Sequence, residues 1–255
     1  MATLKVKTDS LNLRRAPEIK DGNIITSLPL GQAVEVVDGN PANRFWEVTT
    51  IVNGSTLKGF VSAAFLRQPV SAAKEALISA AVKEWLRFDR GDKLEYQDPQ
   101  YKYVGEYWSN IGANHDGRDR DIPWSAAFIS FVARAAGYND FKFAPAHSTY
   151  VYDAVNKRKS NVTTAPFWGF NINEHKPQLG DLVCRWRENP ITSIDSLPSG
   201  GFKSHCDIVV EIRDSEVRTL GGNVNQSVSI TAYPLNSGGF LRPANNVYGV
   251  LKNNF

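Results

Sequence analysis

The chain has 255 residues, of which 42% are hydrophobic and 22% charged, enough for one large domain or a small domain followed by a medium one. Its 19 glycines and 13 prolines exclude collagen-like and low-complexity classes. The formal charge of +3 suits an anionic polymer but is too weak and too evenly spread to argue for nucleic acid.

Only two cysteines are present, Cys184 and Cys206, which excludes a disulfide-stapled scaffold and a zinc ribbon and leaves room for one disulfide at most. No run approaches the roughly 18 uncharged apolar residues of a membrane span. The first ten residues carry no apolar stretch, so no signal peptide is expected. The chain is therefore expected to be made in the cytoplasm without a leader and to leave, if it leaves, by a route that reads none.

Residues 1–68 read as short strands and turns. Leu11-Asn-Leu-Arg14 is followed by the turn Asp21-Gly22-Asn23, Ile24–Leu28, alternating Ala33–Val37 and the turn Asp38–Pro41. Then come Phe45–Val52, the Asn53-Gly54 turn and Lys58–Ser62 running into Ala63–Leu66. Short strands at close spacing predict a small all-β barrel. The opening Leu-Asn-x-Arg, the Trp46-x-Val48 strand and the closing Gly59-Phe-Val-Ser62 resemble the bacterial SH3 (SH3b) domain. That resemblance implies a cell-wall-binding module.

Gln68-Pro69 punctuates the chain, and residues 69–255 read as a second, α+β domain, helices first and antiparallel strands afterwards. Ser71–Phe88 carries Leu77, Ala81, Trp85 and Phe88 on one stripe and predicts an amphipathic helix. Residues 89–121 read as loop-rich, with an aromatic cluster (Tyr96, Tyr101, Tyr103, Tyr107, Trp108). Pro123–Ala136 is the most apolar helical segment, stopped by Gly137, and a further helix starts near His147 and runs to about Asn156. Strands are predicted at 181–186, 205–212, 216–220, 228–233 and 247–251.

Chemistry concentrates at Asp121-Ile-Pro-Trp-Ser125. Pro123 fits the first turn of a helix, which places Ser125 where the positive end of the helix dipole and free N–H groups can serve a nucleophile and an oxyanion. A nucleophile needs a base. His205, at the opening of a strand, offers an imidazole, Asp207 lies two residues on along the same face, and Asn223 on the next strand is a second candidate to orient the ring. Alternation groups Cys206 with Ile208 and Val210 on the apolar face, as a core thiol, so that Cys206 rather than His205 would look toward the Ser125 helix if only that face packs on it. Trp124 and His147 are candidate substrate contacts, although a polar residue heading a helix is also a common cap. His115 and His175 sit in polar loops and are expected to be exposed. No metal-ligand spacing occurs, so neither a metal nor another cofactor is expected. Ser71-Ala-Ala-Lys74 matches an SxxK pattern without its companion motifs and is explained by a helix start.

The order of serine on a helix start, strand histidine and polar residue on the following strand resembles the papain-like NlpC/P60 and CHAP peptidoglycan hydrolases. Pro123–Ser130, Gly180–Cys184, His205–Ile212 and Gly221–Val224 are most similar to the domain-of-unknown-function family 2272, DUF2272. The resemblance covers about residues 75–251. It implies a papain-like fold and a hydrolase acting on peptidoglycan as an antibacterial effector or lysin, with an immunity protein as a further partner. The enzymes it resembles carry cysteine where this chain has Ser125. A serine hydrolase, a non-catalytic wall- or partner-binding module, and an esterase or acyltransferase on another substrate therefore all stay open.

Overall fold

The computed structural model describes residues 2–40 and 43–255, which form two compact units, Met1–Glu75 and Ala76–Phe255. The expected turn Asp38–Pro41 ends outside the described residues, at Pro41.

The first unit is one antiparallel sheet of seven strands. They are β1 (Thr3–Val6), β2 (Ser10–Arg14), β3 (Ile24–Pro29), β4 (Ala33–Asp38), β5 (Phe45–Val52), β6 (Ser55–Ser62) and β7 (Leu66–Arg67), in the order β3-β2-β6-β5-β4-β1-β7. Alternation decides which face is buried: Val6, Leu13, Leu28, Val34, Val48 and Val61, from six different strands, are fully buried in one cluster. A sheet that gathers all its strands around one core must curl. Asn53 and Gly54 both have positive φ (51° and 78°), the conformation that a two-residue hairpin with the twist of its strands requires. Gly59 is needed because a Cβ there would lie 2.6 Å from the Arg14 carbonyl oxygen on β2. Strands β1 and β7 were not expected; each is short, and their pairing with each other is a tertiary event.

Helix α1 (Ala72–Arg87) runs across the division between units, and Ser71 Oγ accepts from the Lys74 N–H at 3.3 Å, the cap that explains the SxxK pattern. Helices α2 (Gln100–Ser109), α3 (Ser125–Ala135) and α4 (His147–Lys159) follow. The second sheet holds β8 (Phe167–Asn171), β9 (Leu182–Trp186), β10 (Ser204–Ile212), β11 (Glu216–Val224), β12 (Ser227–Pro234) and β13 (Val247–Asn253) in the order β12-β11-β10-β9-β13-β8, antiparallel throughout. The reading of residues 89–121 as loop-rich is corrected by α2. There, Gln100, Val104, Tyr107 and Trp108 are buried at i, i+4, i+7 and i+8, a helical stripe hidden among aromatic residues.

Helix α3 packs on β10 and β11, and α4 on β8 and β10. Gly222 marks the close approach of β11 to α3, since a Cβ there would lie 2.5 Å from Phe128 Cβ and Cγ. On the opposite face Val183, Val209, Val217, Tyr233 and Val250 form a second core. Both faces of β10 are thus covered, and the polar face expected for it is buried: His205 and Asp207 are fully inaccessible. The pairing puts Cys206 opposite Cys184, and both are free, buried thiols.

Candidate active site

The first turn of α3 is held by aromatic packing. Trp124, its N-cap, stacks on Phe88 at 5.9 Å and meets Tyr107 at 5.7 Å, and its Nε1–H donates to the buried Glu95 carboxylate at 2.5 Å. Burial raises the Glu95 pKa, and the Trp124 hydrogen bond opposes this. Trp124 is 1% exposed; its ring faces the core and does not line the cavity at Ser125.

That anchoring presents Ser125, the first residue of α3, with its Oγ 2.6 Å from His147 Nε2. His147 opens α4, where Ala146 is the N-cap and makes no side-chain cap bond, so the imidazole is turned to other use. Its Nδ1 faces the Cys206 backbone N–H at 3.2 Å and the Tyr150 hydroxyl. Cys206 N–H is available because β10 pairs with β11 only from Ile208 onward. Burial, first, and then the other histidine, His205, hold the His147 pKa well below its ordinary value. A neutral ring whose Nδ1 faces a backbone donor must carry its proton on Nε2. In this state His147 donates to Ser125.

His205 is bonded differently. Its Nε2–H donates to Asp207 Oδ1 at 2.5 Å, and Tyr233 O–H donates to Asp207 Oδ2 at 2.7 Å. Burial would raise the Asp207 pKa, but His205, its hydrogen bond and the Arg185 charge outweigh that and bring it down to about 2. Burial lowers the His205 pKa, against the pull of Asp207. The ring is neutral, with its lone pair on Nδ1, where Arg187 Nη2 donates at 3.1 Å. This is an imidazole oriented by a carboxylate, the arrangement of a general base. Its centroid is 5.2 Å from that of His147, and it sits one ring behind Ser125.

Ser125, His147, Arg187, Lys203, Ser204 and Asn223 line one cavity of about 550 Å³. Of the two residues considered for orienting His205, Asp207 makes the bond; Asn223, left-handed at φ 55° beside a register shift in β11, lines the cavity instead. His115 lies against Trp108 with Asp119 3.5 Å away. The expected exposure of His175 is corrected: it is bonded to the buried Asp181 at 2.8 Å and packs against Phe170, with its side chain 13% exposed. The sequence carried no signal for Arg187 or Tyr233, whose roles arise from cross-strand neighbours.

The chain is thus mixed α/β, with two antiparallel sheets and a helix-start serine beside buried histidines. A family model described as "Uncharacterized protein conserved in bacteria (DUF2272)" matches residues 91–250, and the chain belongs to that family. No curated protein matches it significantly in sequence. Among solved structures it is similar to NlpC2 from Trichomonas vaginalis, at 11% identity and a TM-score of 0.32, covering 97% of this chain and 71% of that one. It is also similar to an NlpC/P60 family protein from Bacillus cereus ATCC 10987, at 12% identity and a TM-score of 0.32, covering 98% and 63%. NlpC1 from Trichomonas vaginalis gives 11%, 0.30, 94% and 68%. Among the described residues no helix is long and apolar enough to cross a membrane.

Proposed function

We propose that the second unit is a hydrolase that cleaves a peptide or amide bond in cell-wall peptides, with Ser125 as nucleophile. The observation that carries this reading is the imidazole of His205, oriented by Asp207 at 2.5 Å and one ring away from a helix-start Ser125 that faces a cavity of about 550 Å³. Peptidoglycan as substrate rests on the sequence resemblance to NlpC/P60 and CHAP hydrolases, and the wall-tethering role of the first unit on its SH3b-like motifs. Tethering raises the effective concentration of a catalyst at its polymer.

In this mechanism Ser125 Oγ attacks the carbonyl carbon while its proton passes through one water to Nδ1 of His205, once Arg187 has left that nitrogen. Asp207 stabilises the imidazolium that forms. Backbone N–H groups at the start of α3 and the Nε2–H of His147 face the developing oxyanion. His205 returns the proton to the leaving amine as the C–N bond breaks, and water then hydrolyses the acyl ester of Ser125.

A second reading has its own observation. His147 donates to Ser125, and Arg187 covers the lone pair of His205, a resting arrangement equally suited to a module that binds without cutting. The two separate by mass analysis of purified peptidoglycan incubated with wild type, Ser125→Ala, His205→Ala and His147→Ala, with circular dichroism confirming the fold. New fragments from wild type, reduced roughly 10³-fold or more in Ser125→Ala and His205→Ala, support the hydrolase. Wall retention with no fragments from any variant refutes it for this substrate.

A further inference from the structure

The register of β9 against β10 places Arg185 opposite His205, and strand alternation puts Arg187 on the same side. Two guanidinium groups therefore stand together beside the catalytic candidates. The buried carboxylate nearest them, Asp207, has both oxygens occupied by His205 and Tyr233. Among the described residues neither arginine forms an ion pair, and Arg185 Nε is buried with no hydrogen-bond partner. Lys203, also on the cavity wall, pairs at 2.5 Å with Glu188, whose carboxylate lines the same cavity. Burial and the Arg185 charge pull the Arg187 pKa below its ordinary value, against the pull of Asp207. Arg187 is the one of the pair that lines the Ser125 cavity, and it is exposed where Arg185 is half-buried.

We propose that Arg187 anchors a carboxylate subsite beside Ser125, so that the preferred ligand is a peptide bearing a free carboxylate near the bond presented to the serine. This rests on the hydrolase reading for the identity of that bond. A guanidinium fork matches a carboxylate with two parallel hydrogen bonds, better partners than the single imidazole nitrogen it now holds. Engagement of the carboxylate draws Arg187 off His205 Nδ1, which uncovers the fully buried base toward the cavity. Ligand recognition and release of the base are then one movement.

The test is calorimetric titration of full-length Ser125→Ala protein with three probes. They are a cell-wall tetrapeptide with its carboxylates free, the same peptide with them converted to amides, and inorganic phosphate. The free acid is expected to bind about tenfold or more tighter than the amide. Arg187→Gln in the same background brings that ratio close to one, while Arg187→Lys keeps part of it. Equal affinity for acid and amide, or a preference that survives Arg187→Gln in a protein folded by circular dichroism, overturns the proposal. Phosphate competing as well as the acid overturns the carboxylate assignment in favour of a general anion site. Cleavage by wild type is followed in parallel. Equal cleavage of acid and amide defeats the subsite and leaves the hydrolase standing, whereas an Arg187-dependent preference without cleavage defeats the hydrolase and leaves the subsite.

Discussion

Asp207→Asn tests the buried polar chain behind the site most directly. A fully buried carboxyl held at about 2 rather than at 3.8 contributes roughly 2 kcal/mol of stability at neutral pH. The sign follows from the depression. The contribution is complete above the unfolded value, and it is lost as pH falls from about 4 through about 2. The amide replaces the carboxylate only in part: its oxygen can accept from His205 Nε2–H, but its NH2 then faces Tyr233, whose hydroxyl must turn from donor to acceptor inside the core, and the negative charge beside Arg185 is lost. If the ring flips its proton to Nδ1 to satisfy the new N–H, it confronts the Arg187 donor. Asp207→Asn is therefore expected to lose about 2–4 kcal/mol at pH 7 and to show a flatter stability profile between pH 4 and 2. Urea denaturation at pH 7, 5, 4, 3 and 2 on both proteins measures this. A variant with wild-type stability at pH 7, or with the same fall between pH 4 and 2, refutes the reasoning.

Other expectations follow from single contacts. Gly222→Ala pushes a methyl to within 2.5 Å of Phe128 and 2.7 Å of Trp124, so it should cost about 1–3 kcal/mol, read as a lower melting temperature. Trp124→Phe keeps most of the ring packing but leaves the buried Glu95 carboxylate without its donor; a loss of about 1–3 kcal/mol is expected by denaturant titration, and Trp124→Phe/Glu95→Gln should recover part of it. Tyr107→Phe strips the buried Glu84 of a 2.7 Å hydrogen bond while Arg87 still pairs with it, and a smaller loss of about 1 kcal/mol is expected. Replacing Ser125 by Cys restores a readily ionised nucleophile, and muropeptide release by Ser125→Cys at least equal to wild type is expected.

Much of the fold was legible because local patterns decided it. Period-2 alternation marked the strands of the first unit, and Pro123, the apolar run and Gly137 bracketed α3, which begins at Ser125. The position of Ser125 on a helix start needed no tertiary information, and neither did Asp207 lying two residues from His205 on one strand face. Helix α2 stayed hidden because its stripe mixes Gln100 and Val104 with Tyr107 and Trp108, and aromatic residues occur in loops and helices alike. β8 stayed hidden because five residues, Phe167–Asn171, at a sheet edge carry little periodicity.

Local patterns in the chain settle which chemical groups are present and which elements carry them. Which group meets which is left to strand register and packing. His147 reaches Ser125 because α4 packs on β10 where the Cys206 backbone N–H, ahead of the first pair with β11 at Ile208, is left for the ring to take. His205 lies beneath Arg187 because strand pairing aligns residues far apart in the chain. Hydrogen-bond partners across such distances are set by register and packing, and no local pattern in a single sequence encodes them.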